Sequence, residues 1–354
     1  MQIKYKYNNN LITANINIEK LNSGKNKISV ETNNKNLFIP YKNWETNYNQ
    51  ELIEKILNIK GPAYLCDEIM RDESPDYVQK SLKYNLLGYL NEQDFESENF
   101  TNKRILDFGC GSGSSTVILA RMFKQTDIVG IDLEEDHLQI ANLRAKYYGF
   151  NNLKFLLSPS GDSLPENIGK FDYIILSAVY EHLLPSERTN LITKLWNLLN
   201  TGGVLFINGT PYRYFPIETH TTGLPFINYL PNKLACLYAQ NCSKRNLKND
   251  NWDTLLRKGI RGASIKEITN ILNKNIIKNN FEILEPKSLG LKDRVDLWNK
   301  ETTTTKHKFI KKILFACLKF IKTFTGIILV PYISVAIRKN KSYSGRTGGR
   351  AFQS

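Results

Sequence analysis

The sequence predicts an α/β fold built on an open, mostly parallel sheet, and three observations carry that reading. From Lys103 onward, short apolar runs alternate with amphipathic ones, as in strand, helix, strand units. One such run, Arg104 to Phe108, leads into Gly109, Gly111 and Gly113 directly before a helix-like stretch. The chain has 354 residues, 41% of them hydrophobic, enough to bury a full core with additions.

Taken in order, residues 1 to about 40 alternate polar and β-branched side chains between Asn-rich turns and predict a hairpin or meander. Tyr48 to Lys60 and Pro75 to Leu90 carry apolar residues at helical spacing, with Gly61 to Gln79 between them as an ordered acidic segment. Strands are predicted at Arg104–Phe108, Asp127–Asp132, Leu153–Leu157, Phe171–Ser177 and Gly203–Asn208, and helices at Ser115–Phe123, Asp136–Tyr148 and Ser186–Leu199, with a short turn at Pro165–Ile168. Beyond these, Arg245 to Gly259 reads as a helical or irregular insertion. Ser264 caps a helix to about Lys278, Phe281–Glu285 is the next strand, and Ile327–Ile337 is the last.

Charge and cysteine usage bound the class. The net charge is +14, and from Thr302 to Ser354 there is no acid against eleven Lys and Arg. Within that stretch, Ile310, Ile313, Leu314, Cys317, Ile321 and Phe324 share one helical face with lysines mostly opposite. Such a basic amphipathic helix, residues 306–324, suits either an anionic membrane surface or the protein's own core with its lysines in water. Five cysteines without a CxxC pair predict a reducing compartment and no metal site, and the N-terminus lacks the apolar core of a signal peptide. The expectation is a cytoplasmic protein, at the inner face of a membrane if the helix docks there.

A glycine-rich strand-to-helix turn at the carboxyl edge of an α/β sheet is where nucleotide-like ligands sit. The dinucleotide pattern GxGxxG fails in both registers, because its last position falls on Ser114 or Thr116, and no GK[ST] follows for a phosphate loop. What remains is Asp107-x-Gly109-Cys110-Gly111-x-Gly113, followed by Asp132 at the end of the next strand. Asp107 stands beside the turn, and Asp132, acceptor-only when ionised, can hold a vicinal diol as a bidentate partner.

These residues resemble the class I S-adenosylmethionine-dependent methyltransferases, the match running from about Arg104 to Asn208. The resemblance implies a Rossmann-like seven-stranded sheet with its last strand antiparallel, an N-terminal cap, and insertions after strands 5 and 6. It implies S-adenosyl-L-methionine as cofactor, with Gly109 to Gly113 around its methionine end, Asp107 facing the ammonium, and Asp132 and Leu133 at the ribose. Asp162 and Ser163 would lie on the adenine side, and Ser177, Ala178, Glu181 and His182 would border the methyl group.

The implied organisation is a cap or lid over residues 1–100, core over 101–209, a substrate-loop insertion over 210–262, and core completion over 263–340 with the basic insertion at about 302–326. Residues 341–354 read as a disordered tail. The aromatic, proline-rich stretch Gly209 to Pro231 resembles that of bacterial methyltransferases of cell-surface polysaccharide assembly, which implies a sugar or glycan acceptor. The Asp/Asn-Pro-Pro-Tyr/Phe motif of nucleic-acid N-methyltransferases is missing from "SAVYEHL", which disfavours a nucleobase. O-methylation needs a base for a hydroxyl proton. His220 and His182 are the candidates, with Glu218 and Glu181 as orienting partners and His220 slightly preferred. A small-molecule, lipid or RNA acceptor, or a non-catalytic cofactor-binding scaffold, is the alternative.

Overall fold

The N-terminal segment pairs with itself in an antiparallel meander of β1 (Gln2–Tyr7), β2 (Asn10–Lys20), β3 (Asn26–Thr32) and β4 (Asn43–Thr46). Ile12, Ala14 and Ile16 on β2 and Ile28 and Val30 on β3 all turn to one face, the period of two that a half-buried sheet requires. That face packs on α1 (Gln50–Lys60) and α2 (Pro62–Glu73) through Tyr48, Leu52, Ile56 and Leu65, so the cap has its own core. The computed structural model describes residues 1–7, 10–32, 43–73, 75–90, 100–275, 280–302 and 308–340. The predicted tail, 341–354, and His307 lie outside them.

The acidic segment at Gly61 is a helix, α2, started by Pro62 in its first turn. Its buried set, Leu65, Cys66, Glu68, Ile69 and Asp72, has helical spacing, but two of those positions are acids, which hides the stripe from an apolar count.

The central domain runs through α3 (Pro75–Leu87), β5 (Arg104–Phe108), α4 (Ser114–Met122), β6 (Asp127–Asp132), α5 (Glu135–Tyr148), β7 (Leu153–Leu157), β8 (Phe171–Ser177), α6 (Pro185–Leu198) and β9 (Leu199–Pro211). The chain continues through α7 (Asn232–Cys242), α8 (Trp252–Arg257), α9 (Ile265–Asn275), β10 (Phe281–Leu284), α10 (Arg294–Glu301), α11 (Lys308–Thr325) and β11 (Tyr332–Lys339).

The seven strands lie in the order β10-β11-β9-β8-β5-β6-β7. Pairing is parallel from β9 to β7, and β11 is antiparallel to both neighbours. Strand order reverses at β5, whose neighbours are β6 and β8, so the crevice beyond its carboxyl end is the place for a ligand. The sheet is buried on both faces: one side packs on residues of α6 and α9, the other on residues of α3 and α4.

Four central strands have the predicted bounds, and four other elements differ. β9 is longer than expected and carries the sheet to Pro211, into the substrate loop. The last strand starts at Tyr332 rather than Ile327, because Pro331 has no N–H to give a ladder and its carbonyl instead accepts from Tyr212. Helices α7 and α10 were not anticipated. The insertion over 210–262 has a small core of its own, Ile227, Ala235, Ala239, Leu247, Leu255 and Ile260.

Helix α11 inverts the expected polarity. Its only buried residue is Leu318. Lys319 and Lys322 turn inward to Asp293, at 2.7 and 2.6 Å, and Lys319 also reaches Asp296 at 2.8 Å. Burial opposes ionisation of Asp293, yet the two ammonium groups hold its carboxyl down at about 2. Outward face Phe309, Ile310, Ile313, Phe320 and Phe324, all exposed. No helix among the described residues is long and apolar enough to cross a membrane.

Candidate functional site

At the switch point lies a cavity of about 390 Å³, walled by Gly109 and Gly111 from the glycine turn, Asp132 and Leu133 after β6, Ser158 and Gly161 after β7, and Ala178, Val179 and His182 after β8. The turn is tied down on its inner side, where the Gly109 and Cys110 amides both donate to the Ile131 carbonyl, at 2.7 and 3.0 Å. Two glycines here answer to different constraints. A Cβ on Gly109 (φ +77°) would stand 2.4 Å from Val179, so glycine is needed to pack the turn against the next strand's loop. A Cβ on Gly111 (φ +53°) would meet nothing within 4 Å, which leaves backbone facing open cavity.

Asp132 is held from two sides. Its Oδ2 accepts from the Gly111 amide at 2.9 Å and its Oδ1 from the Glu134 amide at 3.0 Å, with His137 Nδ1 3.5 Å away. Burial would raise its pKa, but these donors outweigh burial and lower it, so the carboxylate stays ionised and acceptor-only. Leu133, 51% exposed, offers an apolar wall beside it. Backbone open to the ligand, an ionised acid for a diol and an apolar wall together fit an adenosyl amino acid.

The remaining predicted cofactor residues are placed differently. Asp107 is buried, accepts from Thr116 Oγ1 at 2.7 Å, and does not itself line the cavity. Burial pushes its carboxyl up to about 6. The Cys110 thiol packs beside Gly130, and burial pushes its pKa up. Gly113 starts α4 and abuts Ala141 and Phe155. Asp162 turns to α6, where Asn190 donates to it at 2.9 Å, and the Ser163 hydroxyl meets Ser160 at 2.8 Å. Neither lines the cavity, whose wall here is Ser158 and Gly161 instead, and Ser177 gives way to Ala178 and Val179.

Of the four predicted catalytic residues, three converge. Ligand atoms of Glu181, His182 and His220 all lie within 4.8 Å of one another, and the two rings are 5.4 Å apart. Glu181 is fully buried, and that burial raises its pKa. Its Oε2 accepts from Thr210 at 3.0 Å and its Oε1 has no hydrogen-bond partner. His182 Nδ1 lies 2.7 Å from the Arg257 carbonyl, which fixes the proton on Nδ1 and leaves Nε2 as acceptor, 4.0 Å from Glu181. Desolvation, then the neighbouring His182, lowers the His220 pKa, so its imidazole is neutral and able to take a proton.

Glu218 does not orient the His220 ring. Its two oxygens accept four bonds, from the His220, Thr221 and Thr222 amides and the Thr222 hydroxyl, at 2.6 to 2.8 Å. It is the knot that shapes the loop carrying His220. His137, which is not among the predicted residues, lines the cavity and stacks on Tyr64 of the cap, ring centroids 6.1 Å apart. Its position in the first turn of α5, one helix entry after Asp132, was the available signal. Arg257, also on the cavity wall, pairs with both oxygens of Glu187 at 2.5 and 2.6 Å.

A family model described as a methyltransferase domain matches residues 99–275. The ubiquinone biosynthesis O-methyltransferase of Acinetobacter baylyi is 29% identical over 128 residues, covering 35% of this chain and 52% of the relative. The mitochondrial enzyme of the same name from Saccharomyces cerevisiae is 30% identical over 149 residues, 42% of this chain and 41% of the relative. The chain thus spans about half the length of the curated relatives it matches. A solved S-adenosylmethionine-dependent methyltransferase from Clostridium acetobutylicum superposes with a TM-score of 0.35 at 22% identity, over 45% of this chain and 60% of that one.

Proposed function

We propose that this chain, which belongs to the methyltransferase-domain family as a class I S-adenosylmethionine-dependent protein, is an O-methyltransferase acting on a sugar hydroxyl of a cell-surface glycan or its lipid-linked precursor. The observation that carries the reading is the convergence of Glu181, His182 and His220 beside the cofactor cavity. The cofactor supplies an electrophilic methyl on a sulfonium. His220, neutral and partly desolvated, would take the acceptor hydroxyl's proton as that methyl is transferred to the oxygen. Glu181, with one oxygen unpartnered, steadies the imidazolium that results. Exposed Phe226 and Tyr229 on the insertion offer ring faces on which a sugar can stack.

The test is S-adenosylhomocysteine release over a panel of sugars, phenols and amines. Sugars are expected to be accepted, and transfer confined to phenols or amines would overturn the acceptor class. With the accepted sugar, His220→Ala should lower turnover by about 10²–10⁴ with cofactor affinity unchanged. A wild-type rate in that variant would return the base role to His182. The same trio favours a second reading, a divalent cation lowering the hydroxyl's pKa, because His182 donates its other ring N–H to a backbone carbonyl as metal-bound histidines do. Turnover abolished by chelation and restored by metal would select it.

We also place the protein at an anionic membrane surface, through the outward Phe309, Ile313, Phe320 and Phe324 of α11 flanked by exposed Lys308 and Lys312. Sedimentation with phosphatidylglycerol vesicles should carry the chain down, and Phe320→Glu with Phe324→Glu should leave it in the supernatant. Equal partitioning of the two proteins would remove the membrane from the account.

A further inference from the structure

A second cavity, larger than the first at about 690 Å³, opens between α6, α9, α8 and the start of the substrate insertion. Five cations line it, Arg188, Arg213, Arg261, Lys266 and Lys274, against one carboxylate, Glu267. That carboxylate is already used, by Arg188 at 2.9 Å. Among the described residues no acid pairs with Arg213, Lys266 or Lys274. Surface lysines in water would need no explanation, but Arg261 does.

Arg261 is 4% exposed and has no ionic partner among the described residues. Its terminal nitrogens donate to the Ile227, Asn228 and Leu230 carbonyls and to Asn232 Oδ1, while its Nε has no partner. Burial, with Arg213 nearby, lowers its pKa to about 10. A guanidinium buried without a counter-ion is costly, by several kcal/mol for an ion taken out of water. The fold nonetheless builds a frame of carbonyls to hold this one on the cavity wall, its plane 4.9 Å from the Trp252 ring.

We propose that this cavity binds a diphosphate group. The excess of cations calls for a ligand of more than one negative charge: Arg213 grips phosphate oxygens in pairs, Lys266 and Lys274 act as point charges, and Arg261, its terminal N–H groups already given to the 227–232 segment, adds its fixed positive charge behind them. The volume lies in the range of small-ligand sites and exceeds what diphosphate needs, leaving Trp252 and Tyr214 as a wall for the group it carries. That group is a nucleoside or a lipid chain. Helix α8 separates this cavity from the first, giving Leu256 to one and Arg257 to the other. The site is read by binding alone and stands whether or not the acceptor is a sugar.

The experiment is calorimetric titration of the full chain with pyrophosphate, uridine diphosphate and geranyl diphosphate, and with S-adenosylhomocysteine as an independent check on the first cavity. Saturable pyrophosphate binding that weakens with salt is expected, with tighter binding of one of the two larger ligands identifying the source. Arg213→Gln should weaken it at least tenfold without altering S-adenosylhomocysteine affinity. Arg261→Gln should do the same, but it also releases the 227–232 segment, so Arg213→Gln decides. No saturable binding to wild type, or equal affinity in the Arg213→Gln protein, overturns the proposal.

Discussion

Asp132→Ala will weaken S-adenosylhomocysteine binding at least a hundredfold in calorimetric titration. The carboxylate is the cavity's one acid placed for two vicinal hydroxyls, and each hydrogen bond to a charged group contributes about 1.5–3 kcal/mol. Two such bonds amount to more than a factor of a hundred. The substitution also frees the Gly111 amide, which Asp132 Oδ2 now accepts at 2.9 Å, so the turn loses its outer tether as well as the ligand contact. Asp132→Asn keeps the shape and one acceptor and should lose less. An unchanged dissociation constant in the alanine protein would remove Asp132 from the ribose.

Arg144→Met will cost about 3–5 kcal/mol in denaturant unfolding, the range for breaking a buried ion pair from one side. Arg144 is wholly buried and pairs with Glu68 and, at 2.8 Å, with Asp72, both on α2. The same two acids accept from Ser112 and Ser114 at the glycine turn, at 2.5 and 3.3 Å, and from Tyr48 at 2.5 Å. One cation on α5 therefore bridges the two acids by which the cap grips the glycine turn. Removing it leaves two uncompensated carboxylates there, and S-adenosylhomocysteine affinity should fall together with stability. A loss under about 1 kcal/mol would mean that apolar packing alone seats the cap.

The parallel half of the sheet was legible because its strands are short, predominantly apolar runs alternating with amphipathic stretches, a local signal that tertiary context does not overrule. What was hidden depends on distant partners. Glu68 and Asp72 lie in a stretch whose acidity is legible but whose purpose is not until Arg144, far along the chain on α5, is folded against them. Glu218, two positions before His220, suggested side chain to side chain pairing, whereas the loop bends tightly enough for its backbone amides to claim the carboxylate first. The adenine-side loop misled for a similar reason: α6 comes close enough to take Asp162 through Asn190. In α11 the predicted apolar face is split, with Ile310, Ile313, Cys317 and Phe324 exposed and Leu314 and Ile321 half-buried, because Asp293 on another element draws Lys319 and Lys322 inward.

The place of β11 between β9 and β10 has a consequence for how the protein is made. Translation delivers β10 well before β11, yet β10 has no neighbour in the sheet until β11 arrives, and β9 keeps one ladder of amides open meanwhile. Synthesis proceeds at roughly 5–20 residues per second, so this unfinished edge persists for seconds on each nascent chain. The intervening residues, α10 and the lysine-rich α11, would keep that edge company during the wait. Chaperone dependence of the yield is therefore expected to track the delivery of the final strand rather than the formation of the cofactor turn, which is complete near the start of the sheet.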